Sequence, residues 1–151
     1  MARSSPGVHF PPPLLFVAGF GLGAWLQQHW ALPVLGVPAP VGWVLVVLGL
    51  GIVAAAMLTF AQLGTAIFPN RPATQIVARG PYRCSRNPMY VGMSVAYLGG
   101  VLLTGFLWPL TFLPAVLAAL WFLVIRNEER YLAEAFGESY EAYRKTVRRW
   151  L

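Results

Sequence analysis

Charge is scarce in this chain and cysteine is almost missing. Of the 151 residues, 11% are charged and 58% are hydrophobic, whereas a soluble domain carries about a quarter charged residues. That deficit excludes an ordinary soluble domain and places the chain in lipid. The single cysteine, Cys84, excludes an intramolecular disulfide. No Cys/His group has metal-ligand spacing, so metal chemistry is not expected. The two histidines, His9 and His29, sit at an N-terminal flank and at the end of an apolar run, positions that suit an interfacial or solvated side chain. Arginine outnumbers lysine ten to one among abundant Ala, Gly, Leu and Val, a composition compatible with a GC-rich bacterial genome.

What the chain does have is long apolar runs. The first, from about Leu14 to Trp30, follows Pro11-Pro12-Pro13, and proline fits a helix's first turn because its missing N–H was unpaired anyway. The proline triplet, the run's length and the lack of a small-residue cleavage site favour a helix over a secretory signal. Val41 to Leu63 is uncharged and, at ~1.5 Å per residue, exceeds a hydrocarbon core of ~30 Å. Two further runs, Met89 to Trp108 and Pro109 to Ile125, meet across Gly105–Pro109 with no charged residue, which predicts a tight helical hairpin. The expected fold is therefore all-α and integral to the membrane, with about four transmembrane helices in one domain spanning residues 1–151.

The eleven Lys and Arg residues fall in three places: Arg3, the loop from Arg71 to Arg86, and the tail from Arg126 to Arg149. If the helices alternate, all three lie on one face, and the positive-inside tendency makes that face cytoplasmic, with both termini there. In a bacterium this is the inner membrane. The net charge of +6 is then first a topology signal and second an attraction for anionic headgroups of the membrane lipids. Nucleic acid is not an expected partner, since no soluble domain accompanies the charge. After Ile125 the tail reads as an amphipathic helix, with Tyr131, Leu132, Ala135 and Phe136 at helical spacing, a break at Gly137, and Tyr140, Tyr143 and Val147 continuing an apolar side. It is expected along the membrane surface or folded back over the hairpin. The basic residues near its end suit both a helix C-terminus and anionic headgroups.

Two segments on the charged face flank the hairpin: Gly80-Pro81-Tyr82-Arg83-Cys84-Ser85-Arg86-Asn87-Pro88-Met89-Tyr90-Val91-Gly92 and Arg126-Asn127-Glu128-Glu129. An antiparallel hairpin brings its two ends to one side, so residues about 40 apart can converge there. Singly, each piece has an ordinary structural reading: Gly-Pro and Asn-Pro are turn dipeptides, arginine-rich loops anchor at the cytoplasmic face, and acids suit a helix N-terminus. Cys84 reads as a passive loop residue. Gly92, Gly99 and Gly100 permit close helix packing, with a lipid entrance as the lesser alternative.

The ordered series resembles the isoprenylcysteine carboxyl methyltransferase and phospholipid methyltransferase superfamily, marked by a Gly-x-Tyr turn, an Arg-His-Pro-x-Tyr-x-Gly string opening a hairpin, and an acidic pair. The corresponding residues are Gly80 and Tyr82, then Arg86-Asn87-Pro88-Met89-Tyr90-Val91-Gly92, then Glu128-Glu129, and the ending Phe136-Gly137-Glu138-Ser139-Tyr140-Glu141-Ala142-Tyr143 is similar to the family's tail. The likeness runs from Pro69 to Leu151, with cofactor motifs in 70–92 and 126–151. Asn87 departs from the family's histidine. Asparagine keeps a donor and an acceptor but does not titrate near neutrality, so cofactor binding survives the change more easily than proton transfer. Arg126 lies closer to the glutamates than the family's substrate-facing arginine does.

The resemblance implies an S-adenosylmethionine-dependent enzyme that methylates a lipophilic acceptor, a small molecule or lipid carrying a carboxyl, thiol or headgroup, at the cytoplasmic surface. It implies that Thr74, Gln75, Ile76, Val77 and Tyr82 line the nucleoside side of the cofactor. Asn87, Pro88, Met89 and Tyr90 would cover it, and Glu128, with Glu129 as neighbour or alternate, would accept its hydrogen bonds. Arg126, or else Arg86, would hold an anionic acceptor, since a guanidinium fits carboxylate or phosphate. A carboxylate acceptor needs no general base, which suits a site without histidine. Two other readings compete: a non-catalytic membrane scaffold that keeps the fold, and a nicotinamide-dependent membrane reductase, whose relatives share an Arg-His-Pro-type hairpin but are much longer. The acceptor and the oligomeric state are not written in the sequence.

Overall fold

The computed structural model describes residues 11–64 and 75–151. These residues form an all-helical structure: α1 (Pro13–His29), α2 (Ala39–Gln62), α3 (Pro88–Thr104), α4 (Leu107–Leu120), a π-helical turn (Trp121–Ile125), α5 (Arg126–Phe136) and α6 (Glu138–Thr146). A short 3-10 turn, Gly80–Arg83, precedes α3. Three of the helices, α1, α2 and α3, open on a proline in their first turn, where a missing N–H costs nothing. Two helical segments are long and apolar enough to cross a membrane: the 24 residues of α2, and the 30 residues that run without a break from α4 through the π turn into α5. α3 is apolar but shorter, at 17 residues.

Glycine decides which helices touch. A Cβ on Gly49 of α2 would stand 2.5 Å from the Gly92 carbonyl oxygen of α3, and one on Gly99 would stand 2.8 Å from that of Gly42. The two backbones are therefore in direct contact along a seam in which only hydrogen fits. α1 meets α4 in the same manner, with Gly23 against the backbone of Pro109. Gly92 and Gly99 thus pack against α2, and Gly100 lies under the Phe20 ring of α1; all three serve packing.

The hairpin expected from the last two apolar runs is present, and its turn lies at the start of the expected Gly105–Pro109 junction. α3 ends at Thr104, Gly105 takes a left-handed conformation (φ 70°), and α4 starts at Leu107. A glycine there avoids the Cβ penalty of that conformation. The two arms are held apart by large side chains rather than pressed together by glycines. Tyr90, Tyr97 and Val101 of α3, Leu113, Val116 and Leu120 of α4, and Phe16 of α1 form one buried core with Val124 and Ile125. The Tyr97 hydroxyl donates to the Pro109 carbonyl at 2.7 Å, across the core.

At its charged end, the bundle is closed by α5 and α6, which fold back. Tyr140 of α6 is 2% exposed, and the Tyr143 hydroxyl donates to the Tyr82 carbonyl at 2.8 Å. Of the two placements expected for the tail, the structure shows the second. By contrast, α2 leaves Trp43, Val44, Val47, Leu48, Leu50 and Leu58 exposed, an apolar face that in water would be unfavourable and in lipid is not.

Candidate functional site

The site grows from a loop pinned at three levels. Gln75 Nε2 donates to the Leu63 carbonyl at 2.9 Å, tying the loop's entry to the end of α2. Val77 and Tyr82 are buried with Ala56, and the Tyr82 ring lies 5.0 Å from that of Phe60. Gly80 turns with φ +54°, and a Cβ there would reach within 2.8 Å of Thr59 Oγ1, so the Gly-Pro-Tyr turn needs its glycine for both conformation and space. Burial, and then the negative charge of Glu128, push the Tyr82 phenol above its ordinary range.

α3 begins in the core's upper edge. Asn87 caps it with backbone only; its side-chain Nδ2 instead donates to the Arg149 carbonyl at 3.1 Å. Pro88 and Tyr90 are buried and Met89 is half-buried, touching both apolar clusters. Tyr90 projects toward the opposite arm, where its hydroxyl donates to Glu128 Oε1 at 3.0 Å across 38 residues of sequence.

The π turn sets what meets that tyrosine. The Arg126 N–H reaches back to the carbonyl of Trp121, five residues earlier. One extra residue in a turn rotates everything beyond it by about 100° relative to a regular helix. The apolar part of the span ends at Ile125 and the charged residues begin at Arg126. Glu128 then faces inward to Tyr90, while Arg126, about 200° earlier around the axis, is exposed.

The adjacent acids live in opposite surroundings. Glu129 receives a bidentate pair from Arg149 (Nε–Oε1 2.9 Å, Nη2–Oε2 3.0 Å) and a third contact from Arg86 Nη1 at 3.1 Å. Glu128 has a tyrosine and, among the described residues, no cationic partner. Burial pushes its carboxyl up to about 7; the Tyr90 hydrogen bond opposes that rise and the Glu129 charge adds to it.

The structure thus brings Tyr82, Tyr90, Met89, Asn87, Pro88, Glu128 and Glu129 to one end of the bundle. It places Val77 in the supporting apolar cluster, Ile76 half-buried beside it, and Gln75 on the surface against α2. Thr74 lies outside the described residues. Arg86 is held rather than free. Its side chain is 9% exposed, with the guanidinium paired with Glu129 and donating to the Tyr140 hydroxyl at 3.3 Å, while its Nε is buried with no partner among the described residues. Arg126 stands apart from the group. Sequence reasoning missed Ser85, Trp121 and Arg149 as members of this cluster. Arg149 lies 20 residues after Glu129 in the sequence, and its side chain looked like one basic residue among several at a helix end. Only its pairing with Glu129 across the fold separates it from its neighbours.

Among the described residues no group of three or more His, Cys, Asp or Glu side chains is placed to hold a metal ion. The arrangement offers instead the Glu128 carboxylate beside the Tyr90 and Tyr82 phenols, next to the apolar cluster of Val77 and Ala56.

The chain is 34% identical to a cobalt-zinc-cadmium resistance protein of Cupriavidus metallidurans over 84% of its length and 53% of that protein. It is 30% identical to a nickel-cobalt-cadmium resistance protein of Alcaligenes xylosoxydans over 66% of its length and 47% of that protein. With the protein-S-isoprenylcysteine O-methyltransferase of Schizosaccharomyces pombe it shares 39% identity over 48% of its length and 30% of that enzyme. The chain spans about half the length of the resistance proteins it matches. No solved structure matches it. The family model for phospholipid methyltransferases matches residues 38–139, from the start of α2 through the acidic pair into α6, and the chain belongs to that family.

Proposed function

We propose that this protein transfers a methyl group from S-adenosylmethionine to a lipophilic acceptor at the cytoplasmic surface of the membrane. The observation that carries the reading is the contrast within the acidic pair: Glu129 is neutralised by two arginines, whereas Glu128, half-buried and bonded to Tyr90, has no cationic partner among the described residues. S-adenosylmethionine bears an ammonium and a sulfonium on a ribose and adenine, so it brings the positive charge and the hydroxyl donors that Glu128 lacks. The family match and the likeness to an isoprenylcysteine O-methyltransferase support the same chemistry.

In this reading Glu128 accepts hydrogen bonds from the ligand's amino or ribose groups, Tyr90 fixes the carboxylate's orientation, and Tyr82 with Val77 and Ile76 forms the nucleoside side. Thr74 and Gln75 belong to the same side. Asn87, Pro88 and Met89 cover the ligand at the head of α3. When bound, the cofactor would supply an electrophilic methyl carbon for the acceptor's lone pair, with the sulfur as leaving group keeping the electrons of the broken bond. The chain's work is alignment, and proximity alone accelerates such a displacement greatly. With Arg86 engaged by Glu129, orientation of an anionic acceptor falls to Arg126 at the exposed rim, or to Arg86 if the acceptor displaces Glu129.

α1 to α4 form four membrane spans in a single domain covering the whole chain. α1 and α3, 17 residues each, reach about 26 Å, short of a ~30 Å core by an amount that flanking residues absorb. The exposed arginines of the charged end, Arg79, Arg83, Arg130 and Arg148, then lie among anionic headgroups with both termini cytoplasmic, in a bacterial inner membrane. Acceptors enter from the bilayer.

Calorimetric titration of the detergent-solubilised protein with S-adenosylhomocysteine tests the site, with Glu128→Ala and Tyr90→Ala alongside. Micromolar binding lost in both variants is expected. Wild-type protein that stays folded and binds nothing refutes the cofactor, and retained affinity in Glu128→Ala refutes the site.

A further inference from the structure

The chain's last residues are woven into the head of α3. The Arg86 N–H donates to the Arg148 carbonyl at 2.9 Å. The Arg149 carbonyl accepts from Asn87 Nδ2 at 3.1 Å and from Ser85 Oγ at 3.2 Å, and Ser85, 2% exposed, also accepts the Asn87 backbone N–H at 3.1 Å. The Arg149 side chain then crosses to the other arm. Its guanidinium forks onto both oxygens of Glu129 and stacks 4.2 Å above the Trp121 ring, the first residue of the π turn. One residue therefore joins, through its backbone, the segment that opens α3 and, through its side chain, the turn that aims the acidic pair.

We propose that Arg149 is a positioning residue for the cofactor site: its bidentate hold on Glu129, braced on Trp121, keeps that carboxylate out of the pocket and sets Glu128 opposite Tyr90. This rests on the cofactor reading above. Two physical points lift it above general stabilisation. The apolar core is built by α1, α3, α4 and the π turn and does not need the arginine's charge. Glu129 is the direct neighbour of Glu128, so loss of Arg149 would leave Glu129 held by Arg86 alone, with more uncompensated negative charge beside Glu128 to disfavour its ionised form. Lysine could return the charge but neither the planar fork nor the stacking that hold the geometry.

The experiment compares wild type with Arg149→Ala and Arg149→Lys. S-adenosylhomocysteine affinity is measured by calorimetry, thermal melting is followed beside it, and Arg149→Ala is repeated with millimolar methylguanidine. Expected is a loss of affinity of at least about tenfold in Arg149→Ala, the scale for removing a charged hydrogen-bonded partner, with a smaller loss in Arg149→Lys and partial recovery with methylguanidine. A folded Arg149→Ala that binds as tightly as wild type, whatever its melting temperature, overturns the proposal. If Arg149→Ala does not fold, Arg149→Lys decides: unchanged affinity overturns it. Wild type that binds no S-adenosylhomocysteine overturns the cofactor reading and this proposal with it, an outcome distinct from failure of the positioning role because wild type itself is then silent.

Discussion

The titration of Glu128 gives the site a signature that a passive carboxylate would not show. Burial raises its carboxyl to about 7, so it is about nine-tenths ionised one unit above that value and about one-tenth ionised one unit below. A ligand that brings positive charge binds the ionised form. Affinity for S-adenosylhomocysteine should then hold steady at alkaline pH and fall as pH drops through 7, by about tenfold between pH ~8 and pH ~6, or about 1.4 kcal/mol. The sign follows from the linkage: in the free protein the proton stabilises the buried acid, and the ligand must displace it. Calorimetry across that range measures the effect, with Glu128→Gln as the control that keeps the shape and removes the titration. Any contribution from the ligand's own groups persists in the variant and cancels. His29 is exposed on α1 and bonded to the Trp25 carbonyl, at the end of the bundle away from the site. A wild-type affinity as flat as that of Glu128→Gln would refute the assignment of Glu128 as the ligand's charge partner.

Three other outcomes follow from the fold. Gly92→Leu places a side chain where a Cβ already stands 2.6 Å from the Gly49 carbonyl oxygen; the α2–α3 seam must open, and a loss of at least about 1–3 kcal/mol, the cost of overpacking, should lower the melting temperature in detergent. Tyr97→Phe removes the 2.7 Å hydrogen bond to the Pro109 carbonyl and should cost about 1 kcal/mol in the same assay, with S-adenosylhomocysteine affinity unchanged. Cys84 is exposed in the basic loop, so a membrane-impermeant maleimide should label it in inverted inner-membrane vesicles and not in intact cells; the reverse pattern would overturn the orientation.

Much of this was legible in the residues. The apolar runs marked α1, α2 and the two hairpin arms to within a few residues, because a run of uncharged side chains is a one-dimensional signal that needs no partner. Gly137 marked the break between α5 and α6 for the same local reason. The junction was legible as Gly105–Pro109, and within it the residue that ends α3 is Gly105, whose left-handed conformation costs a glycine little.

The sequence by itself determined that the chain is helical and apolar, that its charge is confined to a few segments, and that Gly80–Gly92 and Glu128–Glu129 form an ordered pair of motifs. Only the tertiary structure decided what those motifs do to one another. Glu128 and Glu129 are neighbours of identical chemistry, and nothing in their order says which is paired. The π turn rotates one toward Tyr90, and Arg149, folding back from the chain's far end, claims the other. Side-chain charge is a local property, but its neutralisation depends on which distant residue reaches it, and that is fixed by packing.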